Sequence, residues 1–410
     1  MSSVAGEAPV SRRRVFYIPG YDPIHPRRYR ELYRKEGAAQ AEISGYDLAL
    51  SPRKAKGRFG WHVTGDIDGY TTEVDVDVLL WSDIVRSSMG HSIPATYLAM
   101  LRTAWVYIGS GALWRLMRLR KGPVIAALYP VGMLILQAII ALLAGYGLYR
   151  GASLLPLPDL VTRGLGGVAA LALIWAILDL FRRWDNRFFV YYLMHDYSYS
   201  ARTRGANPPA LEARIAEFTD AVAEALSSDV DEVLVVGHSS GAHLGVSVLA
   251  DLIRAGRVPG DGPALSFLTL GQVVPMVSFL PDAQRLRADL RFLCDRDELF
   301  WADVTAPGDG CAFALCDPVA VSGVAPKTQR WPLVFSAAFT QSLSPARWKE
   351  LRWRFFRLHF QYLCAFDAVK DYDYFRITAG PMTLRQRYHD RPPSPSRKVT
   401  PVNKFTATRP

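Results

Sequence analysis

The chain has 410 residues, enough for one large domain with insertions or for two domains. Hydrophobic residues make up 50% of it and charged residues 21%, which is too apolar for a typical soluble enzyme and too polar for a protein with many membrane spans. The net charge of +10 suits nucleic acid, an anionic membrane surface or plain solubility. Because no zinc-finger, helix-turn-helix or RNA-binding motif accompanies the charge, we favour a membrane and expect no nucleic-acid partner.

Cysteine and aspartate spacing predicts neither a metal nor another cofactor. An aspartate-rich hairpin at 66–77 lacks the spacing of an EF-hand, so a solvated strand is expected there. The four cysteines contain no C-x-x-C pair and no histidine at zinc spacing, which favours reduced thiols in the cytoplasm: Cys294, Cys311, Cys316 and Cys364.

The first part of the chain predicts strands and one helix. Residues 1–13 are expected to be disordered, and residues 14–90 to be the first part of an α/β domain. In that part, Val15–Ile18 predicts a short strand that ends in Pro19-Gly20-Tyr21. A helical pattern follows, and after it come three further predicted strands: Arg27–Glu42, then Ile43–Leu50, Phe59–Thr64 and Thr71–Leu80.

Residues 91–187 predict a helical insertion that contains a transmembrane hairpin. No charged residue occurs from Gly122 to Tyr149, and a second uncharged run extends from Gly164 to Leu178. We therefore expect spans at about 122–149 and 164–181, because about 20 apolar residues cross a bilayer. A pair of buried core helices is the alternative. The stretch before them, Ile93–Leu119, is expected either in the membrane interface or packed on the domain.

Charge on the two sides of the hairpin predicts its orientation. Only Arg150 and Arg163 lie between the spans, whereas seven basic residues flank them on the outside: Arg115, Arg118, Arg120, Lys121, Arg182, Arg183 and Arg187. Because Lys and Arg accumulate on the cytoplasmic side, the soluble parts are expected in the cytoplasm, anchored to the inner membrane.

Residues 188–380 predict the second part of the α/β domain. A helix at Pro208–Leu226 precedes a strand at Val233–Val236, and strands Ala264–Leu270 and Leu299–Val304 flank a helix at Pro281–Leu290. Alternating strands and helices predict a mostly parallel sheet covered on both faces. Residues 381–410 are rich in proline, serine and basic residues, and we expect a disordered basic tail.

The strand Val233–Val236 runs into Gly237-His238-Ser239-Ser240-Gly241, after which a helical pattern begins. In this context G-x-S-x-G indicates a nucleophile elbow, a strained turn that exposes the serine hydroxyl. Glycines at 237 and 241 let the strand and the helix approach closely. Ser239 is the predicted nucleophile, and an ordinary corner between strand and helix is the alternative.

A serine nucleophile needs a base, and after Ser239 the chain offers three histidines. His243 lies one helical turn further on, where it would point along the helix, and His389 lies in the polar tail. His359 has apolar and aromatic neighbours that could fix its ring, so we predict His359 as the base. An ordinary core or surface histidine is the alternative.

The acid should lie in a loop after a strand, between the serine and the histidine. Asp309 follows the predicted strand Leu299–Val304 and ranks first, and Asp317 ranks second. The oxyanion requires backbone donors. We predict the N–H of Ser240 and the N–H of Tyr21, with Gly20 as its neighbour.

These residues resemble the α/β-hydrolase superfamily. Val233–Gly241 is similar to its elbow, Pro19-Gly20-Tyr21 to its oxyanion loop, and the order Ser239, Asp309, His359 agrees. The resemblance covers about Val15–Leu80 and Phe188–Gly380, although Pro19 stands where many members have histidine. Insertions form lids in related enzymes, whereas here the insertion is the predicted hairpin.

Two functions remain open at the level of sequence. The first is a membrane-anchored serine hydrolase that cleaves an ester, most simply a lipid ester, through an acyl-Ser239 intermediate. Within this class, thioesterase and peptidase activity stay possible because a fold does not choose a substrate. The second is a membrane scaffold or binding protein that kept the fold and lost turnover.

Overall fold

The computed structural model describes residues 8–53, 57–90, 92–156 and 158–409. It contains an eight-stranded sheet within these residues, in the order β2-β3-β4-β1-β5-β6-β7-β8. The strands β1 to β8 are Arg12–Ile18, Asp47–Pro52, Gly60–Ile67, Tyr70–Val78, Glu232–His238, Ala264–Leu270, Leu299–Thr305 and Leu333–Ser336. Strand β3 is antiparallel to both of its neighbours, and all other pairs are parallel.

Apolar residues alternate across the central strands and fill both faces of the sheet. Along β1, Val15 and Tyr17 join one core cluster, and Phe16 and Ile18 join the other. A strand buried on both faces reads as a continuous apolar run. The predicted class, an α/β protein with a mostly parallel sheet flanked by helices, is confirmed.

Helices cover the sheet and build the insertion. Before the insertion lies α1 (Arg27–Ser44). Between β4 and β5 lie α2 (Ser82–Ser88), α3 (Ile93–Gly109), α4 (Ala112–Leu119), α5 (Lys121–Ala152), α6 (Asp159–Arg183), α7 (Asp185–Phe188), α8 (Val190–Arg202) and α9 (Pro209–Leu226). After β5 come α10 (Gly241–Arg254), α11 (Val274–Ser278), α12 (Gln284–Leu293), α13 (Pro318–Val321), α14 (Phe339–Ser342), α15 (Pro345–Leu351), α16 (Phe355–His359), the 3₁₀ turn Gln361–Leu363, α17 (Tyr374–Ala379) and α18 (Leu384–Tyr388).

The structure differs from two predictions for the N-terminal part of the chain. The predicted strand Ile43–Leu50 starts too early, because α1 continues to Ser44 and ends at Gly45 with a φ of 69°. The left-handed Gly45 closes the helix, and β2 begins only at Asp47. Disorder was predicted for residues 1–13. Residues 1–7 lie outside the described residues, and β1 already begins at Arg12.

The insertion contains two helices, α5 and α6, that are long and apolar enough to cross a membrane. They pack against each other, yet only 28% and 11% of their most apolar stretches are buried. Buried core helices, the alternative weighed from the sequence, would hide these side chains. Both helices extend beyond the predicted spans, and α6 begins at Asp159 rather than near 164.

The C-terminal residues do not have the open, disordered form expected from their composition. The main chain of Lys398 exchanges hydrogen bonds with Leu315 and Asp317, at 2.7 and 3.0 Å. Further along, Arg287 donates to the carbonyl of Ala407 at 2.8 Å. The tail has few apolar residues, but its peptide groups pair with the body, and composition does not reveal such pairing.

Candidate active site

The turn between β5 and α10 has the geometry that G-x-S-x-G predicts. Ser239 has a φ of 56°, a left-handed conformation that is uncommon for a residue with a side chain. Its N–H donates to the carbonyl of Leu270 at 2.9 Å, so the neighbouring strand holds the strained residue in place. Strain of this kind persists only where the surroundings enforce it, and it is concentrated at functional sites.

The turn requires glycine at both positions of the motif, because the surrounding backbone leaves no space for a side chain at either one. A Cβ at Gly237 would lie 2.8 Å from the Cα of Ala242. A Cβ at Gly241 would collide with the carbonyl oxygen of Ile18 at the end of β1. The elbow thus depends on backbone contacts between β5, α10 and β1.

The predicted base and the first-ranked acid lie together. His359 Nδ1 and Asp309 Oδ2 are 2.7 Å apart, and Asp309 is fully buried in the loop after β7. Tyr362 donates its hydroxyl to the same oxygen at 3.1 Å, and the N–H of Cys311 donates to Oδ1 at 2.9 Å. Donors therefore occupy both oxygens of Asp309, and the histidine ring has a fixed orientation.

Ser239 and His359 line one cavity of about 1090 Å³. Small residues leave room for both: a Cβ at Gly20 would be 3.1 Å from Ser239 Cβ, and one at Gly271 would be 3.2 Å from His359 Cε1. Among the described residues, Ser239 Oγ forms no hydrogen bond with His359. In unliganded enzymes such a bond is often long and tightens only in the complex.

His238 connects the elbow to the predicted base. Its Nε2 lies 3.0 Å from the carbonyl oxygen of His359 and donates to it, while Nδ1 lies 3.4 Å from the hydroxyl of Tyr17. Burial lowers the pKa of His238 to about 3, so the ring is neutral at physiological pH. A neutral ring with one donor and one acceptor suits a role in positioning the backbone of His359.

The predicted oxyanion donors also belong to the cavity wall. Gly20, Tyr21 and Ser240 line it. Within the described part of the chain, the N–H groups of Tyr21 and Ser240 have no hydrogen-bond partner. The hydroxyl of Tyr192 on α8 donates to the carbonyl of Tyr21 and so holds this loop in place. Free backbone N–H groups near the nucleophile can donate hydrogen bonds to a developing oxyanion.

Asp317, the second-ranked acid, has a structural role at the start of a helix. Its Oδ1 accepts the N–H groups of Val319 and Ala320, both at 3.0 Å, and so caps α13. The side-chain amide of Gln329 donates to Oδ2 at 2.8 Å. An aspartate before Pro318 is a typical N-cap, and this use explains its position without any catalytic role.

Sequence reasoning missed two polar residues of the site. Tyr362, which supports Asp309, follows His359 by one turn, a spacing that could have drawn attention to it. Asp196 on α8 lines the cavity, and burial raises its pKa to about 7, with nearby His359 lowering it. No sequence signal marks Asp196, because only the packing of the insertion brings α8 over the elbow.

One group of possible metal ligands occurs in the described residues, and it overlaps with the predicted pair. Single donor atoms of Asp309, Cys311 and His359 lie within 4.8 Å of one another. However, Asp309 already accepts three hydrogen bonds, and burial raises the pKa of the Cys311 thiol, whereas metals bind the thiolate. The group therefore fits an oriented acid–base pair better than a metal site.

Comparison with known proteins adds no family to these observations. No family model, no curated protein and no solved structure matches the chain. A function can therefore be inferred only from the geometry of the cavity and its surroundings.

Proposed function

We propose that the protein is a membrane-anchored serine hydrolase of the α/β-hydrolase type that cleaves a carboxylic ester. One observation carries the proposal: His359, which buried Asp309 holds at 2.7 Å, lines the same cavity as the strained Ser239. A nucleophile on an elbow, a base and a buried orienting acid make up the serine-hydrolase arrangement.

In the proposed reaction, His359 takes the proton of Ser239 while the serine oxygen attacks the ester carbonyl. The N–H groups of Ser240 and Tyr21 stabilise the negative oxygen. The bond to the alkoxy group then breaks, and His359 gives its proton to the leaving alcohol. In the second half, His359 takes a proton from a water molecule that attacks the acyl carbonyl. The bond from the acyl group to Ser239 breaks, the carboxylic acid leaves, and His359 returns the proton to the oxygen of Ser239. Asp309 holds the imidazole and stabilises its positive charge throughout.

The position of the cavity supports a lipid ester as substrate. Its wall includes Pro123 in the first turn of α5, and it includes Asp185 and Phe189 at the two ends of the short helix α7, which follows α6. The cavity thus lies at the ends of the two apolar helices that join the body. If these helices span the bilayer, the cavity lies at the membrane surface. Because basic residues are in excess at this end of the hairpin, that surface is the cytoplasmic one.

Labelling with a fluorophosphonate probe tests the nucleophile. We expect wild-type protein to react covalently and Ser239→Ala to lose the reaction completely. The matched control is Ser240→Ala, which removes the adjacent hydroxyl but keeps the backbone N–H, and it should still be labelled. If folded wild-type protein does not react, the hydrolase proposal fails and the membrane scaffold becomes the better interpretation.

Washing membranes with alkaline carbonate tests the anchor separately. We expect the full chain to stay with the membrane pellet, because spanning helices resist extraction. Release of the chain into the supernatant would contradict the spanning hairpin.

Hydrolysis of esters of increasing chain length, measured in detergent, then identifies the preferred acyl group.

A further inference from the structure

The residues before the predicted base form an unusual surface. All six side chains of the segment 352–357 are exposed, whereas Leu358 and His359, directly after it, are buried. We call residues 352–357 the arginine-aromatic segment, since it consists of three arginines and three aromatic residues: Arg352, Trp353, Arg354, Phe355, Phe356 and Arg357. Trp353 is 72% exposed, and Phe355 and Phe356 are 49% and 41% exposed.

Exposed aromatic rings next to arginines are costly in water and favourable in the headgroup region of a bilayer. Aromatic residues accumulate at this depth, and arginines attract anionic lipids. Two of the arginines in the segment share one acidic neighbour, Glu350, at 3.3 and 3.8 Å, and Arg352 lies over the ring of Trp353. The segment therefore keeps a net positive charge.

The segment is continuous with the ends of the apolar hairpin. The ring of Phe356 lies 5.6 Å from that of Phe189, which follows α6 and α7. On the side of α5, Gly310 lies between Gly122 and Phe355, with the carbonyl oxygen of Gly310 3.1 Å from a Cβ built on Gly122. A bilayer that surrounds α5 and α6 would reach the arginine-aromatic segment next.

We propose that the arginine-aromatic segment inserts into the headgroup layer of an anionic leaflet and forms the lipid entrance to the cavity. Phe189, Phe356 and Arg357 line the cavity, so the segment borders both the membrane and the site. A lipid could then pass from the leaflet to Ser239 along this border without crossing bulk water. The inference rests on the membrane anchor of the proposed function and adds a second membrane contact to it.

A nitroxide label at Trp353→Cys measures the depth of the segment in proteoliposomes of phosphatidylcholine and phosphatidylglycerol. We expect collisions with membrane-dissolved oxygen to exceed collisions with a water-soluble nickel chelate several-fold. The matched control is Tyr70→Cys, which is 51% exposed at the start of β4, at the sheet end away from the site. It should favour the nickel chelate. Unsubstituted protein serves as the blank for the native thiols.

Two results would overturn the proposal. If collisions with the nickel chelate dominate at position 353, the label lies in water and the segment is not inserted in the bilayer. A label that is shielded from both reagents is covered by protein, which would make the segment an interface with a second copy or another chain. The depth measurement needs no turnover, so it can succeed where fluorophosphonate labelling fails, and it can fail where labelling succeeds.

The charge and the entrance are tested by two further variants that leave the cavity wall intact. In Arg352→Gln/Arg354→Gln, the label should become shallower in phosphatidylglycerol vesicles and stay unchanged in pure phosphatidylcholine. Trp353→Ser should hydrolyse a soluble short-chain ester at the wild-type rate. Its rate on a bilayer-embedded ester should fall about tenfold, the factor for a loss of roughly 1.4 kcal/mol. Equal rates on both substrates would contradict the entrance.

Discussion

The sheet and the hairpin are both rich in apolar residues, but the sheet buries these residues and the hairpin exposes them. Every residue of β5, from Glu232 to His238, is buried between the two core clusters. In α6, by contrast, Leu165, Val168 and Leu171 are each at least 65% exposed. Soluble proteins rarely expose contiguous apolar surfaces of this length.

This difference separates two kinds of constraint. In the body, the protein itself surrounds the apolar groups, so backbone contacts and packing decide what is tolerated. In the hairpin, few protein atoms cover the side chains, so the surrounding solvent decides. A substitution in the body should act in any environment, whereas one in the hairpin should act only if the environment is lipid.

The largest effect is expected at Asp309, in the body. Asp309→Asn keeps the size of the side chain but favours the wrong tautomer of His359, and the same change in a serine protease triad lowers the turnover about 10⁴-fold. We expect a loss of that order in the rate of ester hydrolysis, measured in detergent with protein of unchanged melting temperature. A loss below about tenfold would exclude the proposed role of Asp309.

Next comes the elbow itself. Gly241→Ala places a methyl group against the carbonyl of Ile18, and neither backbone can yield without moving β1 or α10. We expect the unfolding free energy to fall by at least the ~1–3 kcal/mol that is typical of overpacking, measured by denaturant titration. Gly260→Ala is the matched control, because a Cβ at Gly260 has no atom of the described residues within 4 Å.

In the hairpin, Leu171→Arg tests the environment rather than the packing. Leu171 lies at the centre of α6 and is 68% exposed. In a bilayer an arginine there costs about 2.5–3.5 kcal/mol, whereas at a water-exposed position it costs within about 0.5 kcal/mol. The carbonate-resistant fraction should therefore fall for Leu171→Arg and stay constant for the apolar Leu171→Phe. Equal fractions would place α6 in water.

Local patterns were sufficient for the elbow and for most strands, although they placed the start of β2 too early and missed β8. The strand Ala264–Leu270 was predicted with the observed bounds, because an apolar run between turn residues leaves little choice. The elbow was predictable because its glycines, its serine and the flanking strand are neighbours in sequence. His359 and Asp309 were predicted separately, the histidine by elimination and the acid from its loop after a strand, and the structure brings them together.

Features that depend on the insertion could not be predicted in this way. Asp196 and Tyr192 reach the site only because α8 packs over the elbow, and α8 packs there because α3 and α5 hold it. The tail shows the same limit, since its hydrogen bonds join Lys398 to residues about 80 positions earlier in the chain. Periodicity and composition carry no information on such distant pairs.

The smallest expected effect separates the two aspartates that the sequence ranked first and second as the acid. Asp317→Ala removes the cap of α13, so the unfolding free energy should fall by about 1 kcal/mol, while labelling of Ser239 stays complete. Asp317→Asn should recover most of the stability, because the amide oxygen can still accept the N–H groups of Val319 and Ala320. At Asp309 the same change to asparagine should rescue nothing, because the charge opposite His359 is lost. If labelling is lost in both Asp317 variants, then Asp317 is the catalytic acid, and a helix cap is the wrong account of its position.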